Sequence, residues 1–223
     1  MTKPISIFIS KSLKDKSPFQ KLISDGYNII AQSLIDIKSI EIQDYPATDW
    51  IFFSTANSVK HFFSTQKHST NYQYGVIDTG AATVFYNITG MSPKYTGNGI
   101  PGDVAENFIT YEKGKSILIV KAKNSKNTIH VLLSEYMTCS DLIVYENKIK
   151  KEFDIPPCSH LIFTNPISVE AYFTKYDYNM EDLYAIDGPT AACIKQLTGY
   201  NASVPEITSD YGLYRIVKKE LEM

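Results

Sequence analysis

Few side chains in this sequence are placed to do chemistry, and those that are carry hydroxyls rather than metal ligands or strong bases. Tyr145, in the run Leu142-Ile-Val-Tyr-Glu146, follows an apolar stretch in mid-chain. It is a candidate acid or hydrogen-bond donor, against the ordinary reading of a packed strand residue with a wet tip; the chain has 16 tyrosines. Two apolar runs end in short polar pairs, Ser54-Thr55 and Thr164-Asn165. Two further turns contain glycine and threonine, Gly80-Ala-Ala-Thr83 and Gly188-Pro-Thr190. Each of these turns is expected to open a helix. A helix N-terminus leaves backbone N–H groups unpaired at the positive end of the dipole, so it suits an anion. Four such turns would suit a ligand bearing several carboxylates. The plain alternative stays open at each glycine turn: glycine turns the chain and threonine caps the helix. The stretch Lys121-Ala-Lys-Asn-Ser-Lys126 is basic and carries a hydroxyl, and it also reads as a solvated loop.

The same inventory excludes much. Arg215 is the only arginine, so a bidentate guanidinium clamp on carboxylate or phosphate is ruled out as the main binding device. Cys139, Cys158 and Cys193 form no CxxC pair, and His61, His68, His130 and His160 show no HxxxH or HExxH spacing, so no metal site is expected. Neither GxGxxG, a Walker loop nor a nucleophile elbow is present, and no cofactor is expected. A net charge of −2 with 21% charged residues gives no attraction to nucleic acid or to an anionic membrane. The apolar run Ile5 to Ile9 has the length of a strand and is too short for a secretion signal or a membrane span. The expectation is a soluble, cytoplasmic protein. With 223 residues and 43% hydrophobic content, the chain can bury one large core or two small ones.

The elements that must position these residues come in pairs. Asp49 to Phe63 aligns with Ser159 to Phe173 without a gap: Phe53 meets Phe163, Ser54 meets Thr164, Ser58 meets Ser168, and Val59 meets Val169, an offset of 110. In both copies an apolar run of strand length stops at small polar residues and a helical period begins. Thr55 and Asn165 fall where an N-cap is needed, and Pro166 suits a first helical turn. Gly75 to Gly90 and Tyr184 to Gly199 form a second pair, each reading strand, turn, helix and closing glycine. Ile5–Ile9 and Ile117–Val120 form a third. The halves are roughly 3–112 and 115–223. Strands alternating with helices imply parallel sheets of βαβ units, and the near-continuous apolar strands imply burial on both faces.

Taken together, these residues resemble the uroporphyrinogen-III synthase family. Its members have two similar α/β halves, each with a strand ending F-T-S-P-x-A-V, matched here by Phe53-Ser-Thr-Ala-Asn-Ser-Val59 and Phe163-Thr-Asn-Pro-Ile-Ser-Val169. A Gly-x-x-Thr turn in each half matches at Gly80–Thr83; the second has its threonine one place early, at Thr190, with Ala191 in the usual position. A mid-chain V-Y-E/R segment matches Val144-Tyr145-Glu146. The resemblance implies a fold class of two similar α/β domains, each a parallel sheet flanked by helices, joined by a two-stranded antiparallel linker. Residues 1–32 and 152–223 would form domain 1, 33–46 and 143–151 the linker strands, and 47–142 domain 2, with a cleft between the domains.

The implied reaction is cofactor-free: hydroxymethylbilane is cyclised to uroporphyrinogen III, with inversion of ring D through a spiro intermediate. That is a task of orientation more than of chemical catalysis. Tyr145 falls at the family's tyrosine that assists departure of the hydroxyl. Thr55 and Asn165, with Ser54 and Thr164 beside them, fall at strand-end turns that receive acetate or propionate groups; Thr83 falls at the first Gly-turn threonine, facing the cleft, and Thr190 substitutes for the second, so both are further substrate-binding candidates. Lys11 and Lys121 stand where the family has arginines, keeping the charge without the planar fork. The resemblance implies a monomer, without nucleic-acid or membrane partners. The competing reading is a non-catalytic two-domain binding protein for a multi-carboxylate ligand; a degenerate relative with a regulatory role is a third, motivated by Asn165 and Ala191.

Overall fold

The computed structural model describes residues 5–222; residues 1–4 and 223, at the outer ends of the expected first domain, lie outside them. The chain divides into two compact units, Met1–Asp36 with Lys148–Met223, and Ile37–Asn147. Strand β1 (Ser6–Ile9), helix α1 (Gln20–Ser24) and strand β2 (Asn28–Ala31) open unit 1. Strand β3 (Ile35–Ser39) spans the boundary. Unit 2 follows with β4 (Trp50–Phe53), α2 (Ala56–Phe63), β5 (Gln73–Val76), α3 (Thr79–Thr89), β6 (Tyr95–Thr96), α4 (Pro101–Glu112), β7 (Ser116–Ala122) and α5 (Thr128–Leu133). Strand β8 (Thr138–Ile149) returns the chain to unit 1, which is completed by β9 (His160–Phe163), α6 (Pro166–Lys175), β10 (Asp182–Ala185), α7 (Gly188–Thr198) and α8 (Asp210–Leu221).

The strand order is β10-β9-β1-β2 in one sheet and β3-β8-β7-β4-β5-β6 in the other. The duplication extends to hydrogen-bond register. Trp50 pairs with Ile117 as His160 pairs with Ile7, and Ile117 pairs with Cys139 as Ile7 pairs with Ile29. All of these pairs are parallel, as the βαβ reading requires. Backbone bonds from Ile40 N to Val144 O (3.0 Å) and from Lys150 N to Leu34 O (2.9 Å) tie the β3 segment to β8 in the opposite sense. β8 extends from Thr138 to Ile149 and pairs with β7 over its first part.

Why the strands read as continuous apolar runs is visible in unit 1. Phe8, Leu161, Phe163, Leu183 and Ala185 pack into one cluster, whereas Ile7, Ile9, Ile162 and Tyr184 pack into another. Alternate residues thus face opposite sides of one sheet, and both sides are covered by helices. In unit 2, Trp50 to Phe53 and Ile117 to Val120 are buried in a cluster completed by Val59, Phe62, Phe85 and Phe108 from the helices. The glycines that close α3 and α7, Gly90 (φ +74°) and Gly199 (φ +82°), end their helices in the left-handed conformation, where a Cβ would be strained. The helices therefore start at the carboxyl ends of the strands, where ligands bind in open α/β sheets.

Candidate functional site

In unit 2, the turn between β4 and α2 is built by a capping box. Thr55, in extended backbone (φ −158°, ψ 161°), accepts from Ser58 N through Oγ1 at 3.0 Å, and Thr55 N donates back to Ser58 Oγ at 3.1 Å. Ser54 Oγ donates to Val120 O on β7 at 3.1 Å. Tyr145 arrives from β8 by an irregularity in pairing: Lys121 faces Ile143, but Ala122 faces Tyr145, so Val144 is the extra residue of a β-bulge. A regular strand would turn consecutive side chains to opposite faces. Tyr145 is 3% exposed. The bulge aims the phenol at the capping turn, where its hydroxyl lies 3.0 Å from Thr55 Oγ1. The ring lies over His61 of α2, with centroids 5.1 Å apart and planes at 22°. His61 Nδ1 is 2.8 Å from Ser39 Oγ.

Burial raises the Tyr145 pKa above its ordinary value, and the Thr55 hydrogen bond opposes that rise. The phenol therefore keeps its proton at neutral pH. Burial, with Lys60 as a lesser cause, lowers the pKa of His61, so its ring is neutral there. Lys121 is 5% exposed and its ammonium is taken up by Asp141 and Asn127. Asp141 also holds His130 Nδ1 at 2.9 Å. Thr83 is exposed on α3, where its hydroxyl donates to Thr79 O at 2.9 Å.

Unit 1 repeats the scaffold with other atoms. Asn165 (φ −169°, ψ 156°) caps α6, accepting from Ser168 N at 2.8 Å. Thr164 N donates to Ser10 Oγ at 2.9 Å, and the two hydroxyls are 3.2 Å apart. Lys11 forms an ion pair with Asp210. Thr190 is 0% exposed, and its hydroxyl is bound to Asp187. Arg215 lines a surface hollow of about 1030 Å³ along α8, together with Tyr211 and Tyr214.

One expectation is corrected. The caps at the glycine turns are not threonines but Asp78 and Asp187, which accept from Ala81 N at 2.7 Å and from Thr190 N at 2.9 Å. Thr83 and Thr190 lie inside α3 and α7, so the aspartate ahead of each helix is the residue at the N-cap, where its side chain reaches the N–H three residues on. The signal was present in sequence as the matched Ile77-Asp78 and Ile186-Asp187. The correction sorts the turns by charge. Thr55 and Asn165 leave the positive ends of α2 and α6 uncompensated, whereas two carboxylates already occupy those of α3 and α7. Pro166 and Pro189 further remove one N–H from α6 and α7. The α2 turn alone combines a neutral cap with a full set of donors, and it is the one Tyr145 meets. Neither His61 nor the bulge was anticipated from sequence.

Parallel α/β sheets in two duplicated units, with polar strand-end turns and a buried phenol at one of them, define a two-unit α/β protein. A family model described as uroporphyrinogen-III synthase HemD matches residues 19–210, and the chain belongs to the uroporphyrinogen-III synthase family. Its activity is the family's: cyclisation of hydroxymethylbilane to uroporphyrinogen III in tetrapyrrole biosynthesis. The fold is similar to that of a uroporphyrinogen-III synthetase from Helicobacter pylori (TM-score 0.72, 14% identity, 98% of this chain and 100% of the other). It is also similar to that of a mutant uroporphyrinogen III synthase from Thermus thermophilus (TM-score 0.64, 12% identity, 98% and 99%). No curated protein sequence matches this chain. Among the described residues, no group of His, Cys, Asp and Glu could hold a metal ion, and no helix is long and apolar enough to cross a membrane.

Proposed function

We propose that Tyr145 is the donor that assists loss of the terminal hydroxyl of hydroxymethylbilane, and that the strand-end turns hold the substrate's carboxylates. The observation that carries this reading is the buried phenol, held protonated and set by a β-bulge against the neutral cap of α2. As the terminal C–O bond breaks, electron density from the pyrrole nitrogen forms the azafulvene. Hydrogen bonding from Tyr145 stabilises the charge growing on the departing oxygen, which leaves as water with the pyrrole N–H proton. Attack by the substituted carbon of ring D gives the spiro intermediate, and its fragmentation and reclosure give the inverted isomer. Without a protein, the chain closes at the unsubstituted carbon. The enzyme's contribution is to hold the geometry in which the substituted carbon attacks, and orientation on this scale is worth effective molarities of about 10⁵ M or more.

Thr55 and Asn165 belong to the turns with neutral caps, and the N–H groups there receive acetate or propionate groups. Ser54 and Thr164 line these turns, Thr83 and Thr190 lie at the aspartate-capped turns of α3 and α7, and Lys11 and Lys121 stand at strand ends in ion pairs with Asp210 and Asp141. Thr190 acts through Asp187, to which its hydroxyl is bound. The working form is a cytoplasmic monomer, which sedimentation of the purified chain tests. The decisive assay supplies freshly made hydroxymethylbilane and separates the product isomers. The inverted isomer should form far faster than the uncatalysed closure; accumulation of only the non-inverted isomer, at the enzyme-free rate, would sink the reading.

A further inference from the structure

We infer that His61 is a positioning residue for the reaction, holding the Tyr145 hydroxyl in line through its face-to-face ring contact and its anchor on Ser39. The inference rests on the reading of Tyr145 as the donor. Three elements converge on that phenol: α2 supplies both Thr55 at its cap and His61 two turns on, β8 supplies Tyr145 itself, and β3 supplies Ser39. The tip of the phenol is set by the Thr55 hydroxyl at 3.0 Å, and one face of its ring by the imidazole at 5.1 Å and 22°. A tyrosine on a bulge lacks the regular cross-strand neighbours that fix a side chain on a flat strand. The Thr55 contact sets the tip of this buried ring, and the imidazole covers one of its faces. The imidazole is in turn held against rotation by Nδ1 and Ser39 Oγ, 2.8 Å apart.

Packing does not require a histidine here. The matched position in the other unit, 110 residues on, is Ala171, which is 1% exposed in an otherwise corresponding helix. Burial, with the Lys60 ammonium as a lesser cause, lowers the pKa of His61 and keeps the ring neutral, so it shapes the site without adding a charge to it. An apolar ring would supply the face contact without the anchor; an amide would supply the anchor without the face.

The test is a set of variants assayed for turnover of hydroxymethylbilane to the inverted isomer, with thermal midpoints recorded for each. His61→Ala should lower kcat about tenfold, the scale expected of a sub-ångström misplacement, with KM within about twofold. In a Tyr145→Phe background the same change should cost less than about twofold, because the group it positions is gone. His61→Phe should recover most of the loss, and His61→Gln should not. Equal losses from His61→Ala in both backgrounds, or His61→Phe as slow as His61→Ala, would overturn the inference and leave the role of Tyr145 standing. Tyr145→Phe at wild-type turnover removes the reading of Tyr145, and this inference with it. If His61→Ala does not fold, the phenylalanine and glutamine variants decide the matter in the same two backgrounds.

Discussion

The turn from β4 into α2 and the turn from β9 into α6 are one structure made twice. Both caps are extended, both accept from the N–H three residues on, and both serines at that third position are buried. The surroundings differ. Thr55 touches the Tyr145 hydroxyl, and His61 stacks on the same ring; at the matched positions in unit 1 stand Asn165, whose side-chain oxygen caps α6, and Ala171 in the core. β8 runs past β7 through a bulge to reach its turn, whereas pairing of β2 with β1 stops at Ala31. Duplication thus supplies neutral-capped turns in both units, while a buried phenol meets one of them only.

The sharpest way to break the comparison is Tyr145→Phe. Loss of a positioned donor should lower turnover about 10²-fold or more. Stability should change by only about 1 kcal/mol, because Thr55 Oγ1 keeps its bond from Ser58 N. The corresponding alteration in unit 1 has no donor to remove, so Asn165→Ala should leave turnover far closer to that of the parent. Equal losses from the two variants, measured by isomer-resolved rates, would mean that the chemistry is shared between the units.

The two lysines expected to meet substrate make the second contrast. They are matched positions, Lys11 after β1 and Lys121 at the end of β7, and each is ion-paired within its own unit. Their burial separates them: the side chains of Lys121 and Asp141 are 6% and 26% exposed, against 28% and 40% for Lys11 and Asp210. Lys121→Met leaves Asp141 without its cation in a partly buried site and should cost about 3 kcal/mol of stability. Lys11→Met should cost under about 1 kcal/mol. Chemical denaturation checks both, and a Lys121 variant as stable as the parent would show that its network is not structural.

What could be read from sequence follows the range of the interactions. The strands were legible because burial on both faces leaves continuous apolar runs, and the caps at Thr55 and Asn165 because capping reaches only three residues. The aspartate caps are equally local: Asp78 and Asp187 stand directly ahead of the first helical residue, and each accepts from the N–H three residues on. The bulge at Val144 was not legible, since it exists only relative to β7. The contacts of His61 with Tyr145 and of Lys121 with Asp141 are set by which strands become neighbours, and no spacing along the chain encodes them.

A smaller effect separates the two caps themselves. Thr55→Ala removes both the cap of α2 and the partner of Tyr145, so it should cost about 1 kcal/mol of stability and a measurable share of turnover. Asn165→Ala should cost a similar amount of stability with little change in rate. Thr55→Ser keeps the cap and the partner hydroxyl and should restore both. If Thr55→Ala loses stability alone, the contact with Tyr145 does not contribute to the reaction.

The smallest expected effect lies at the opposite ends of the same strands. His160 opens β9, and its matched residue, Trp50, opens β4. Trp50 satisfies its indole N–H on Glu112 at 2.9 Å and cannot titrate. Burial lowers the His160 pKa below its ordinary 6.5, although Asp182 and Glu220 pull it upward. A folded-state pKa below the unfolded value means that the unfolded chain takes up the proton first as pH falls. The stability contribution is therefore complete above about pH 7 and is lost as pH drops through 6.5 toward the folded value. His61 behaves in the same direction, and its share is removed by comparing variants that both retain it. Thermal midpoints should fall less between pH 7 and pH 5 in His160→Gln than in the parent, even if the variant starts lower. Parallel slopes would place the acid sensitivity of the fold elsewhere than at this histidine.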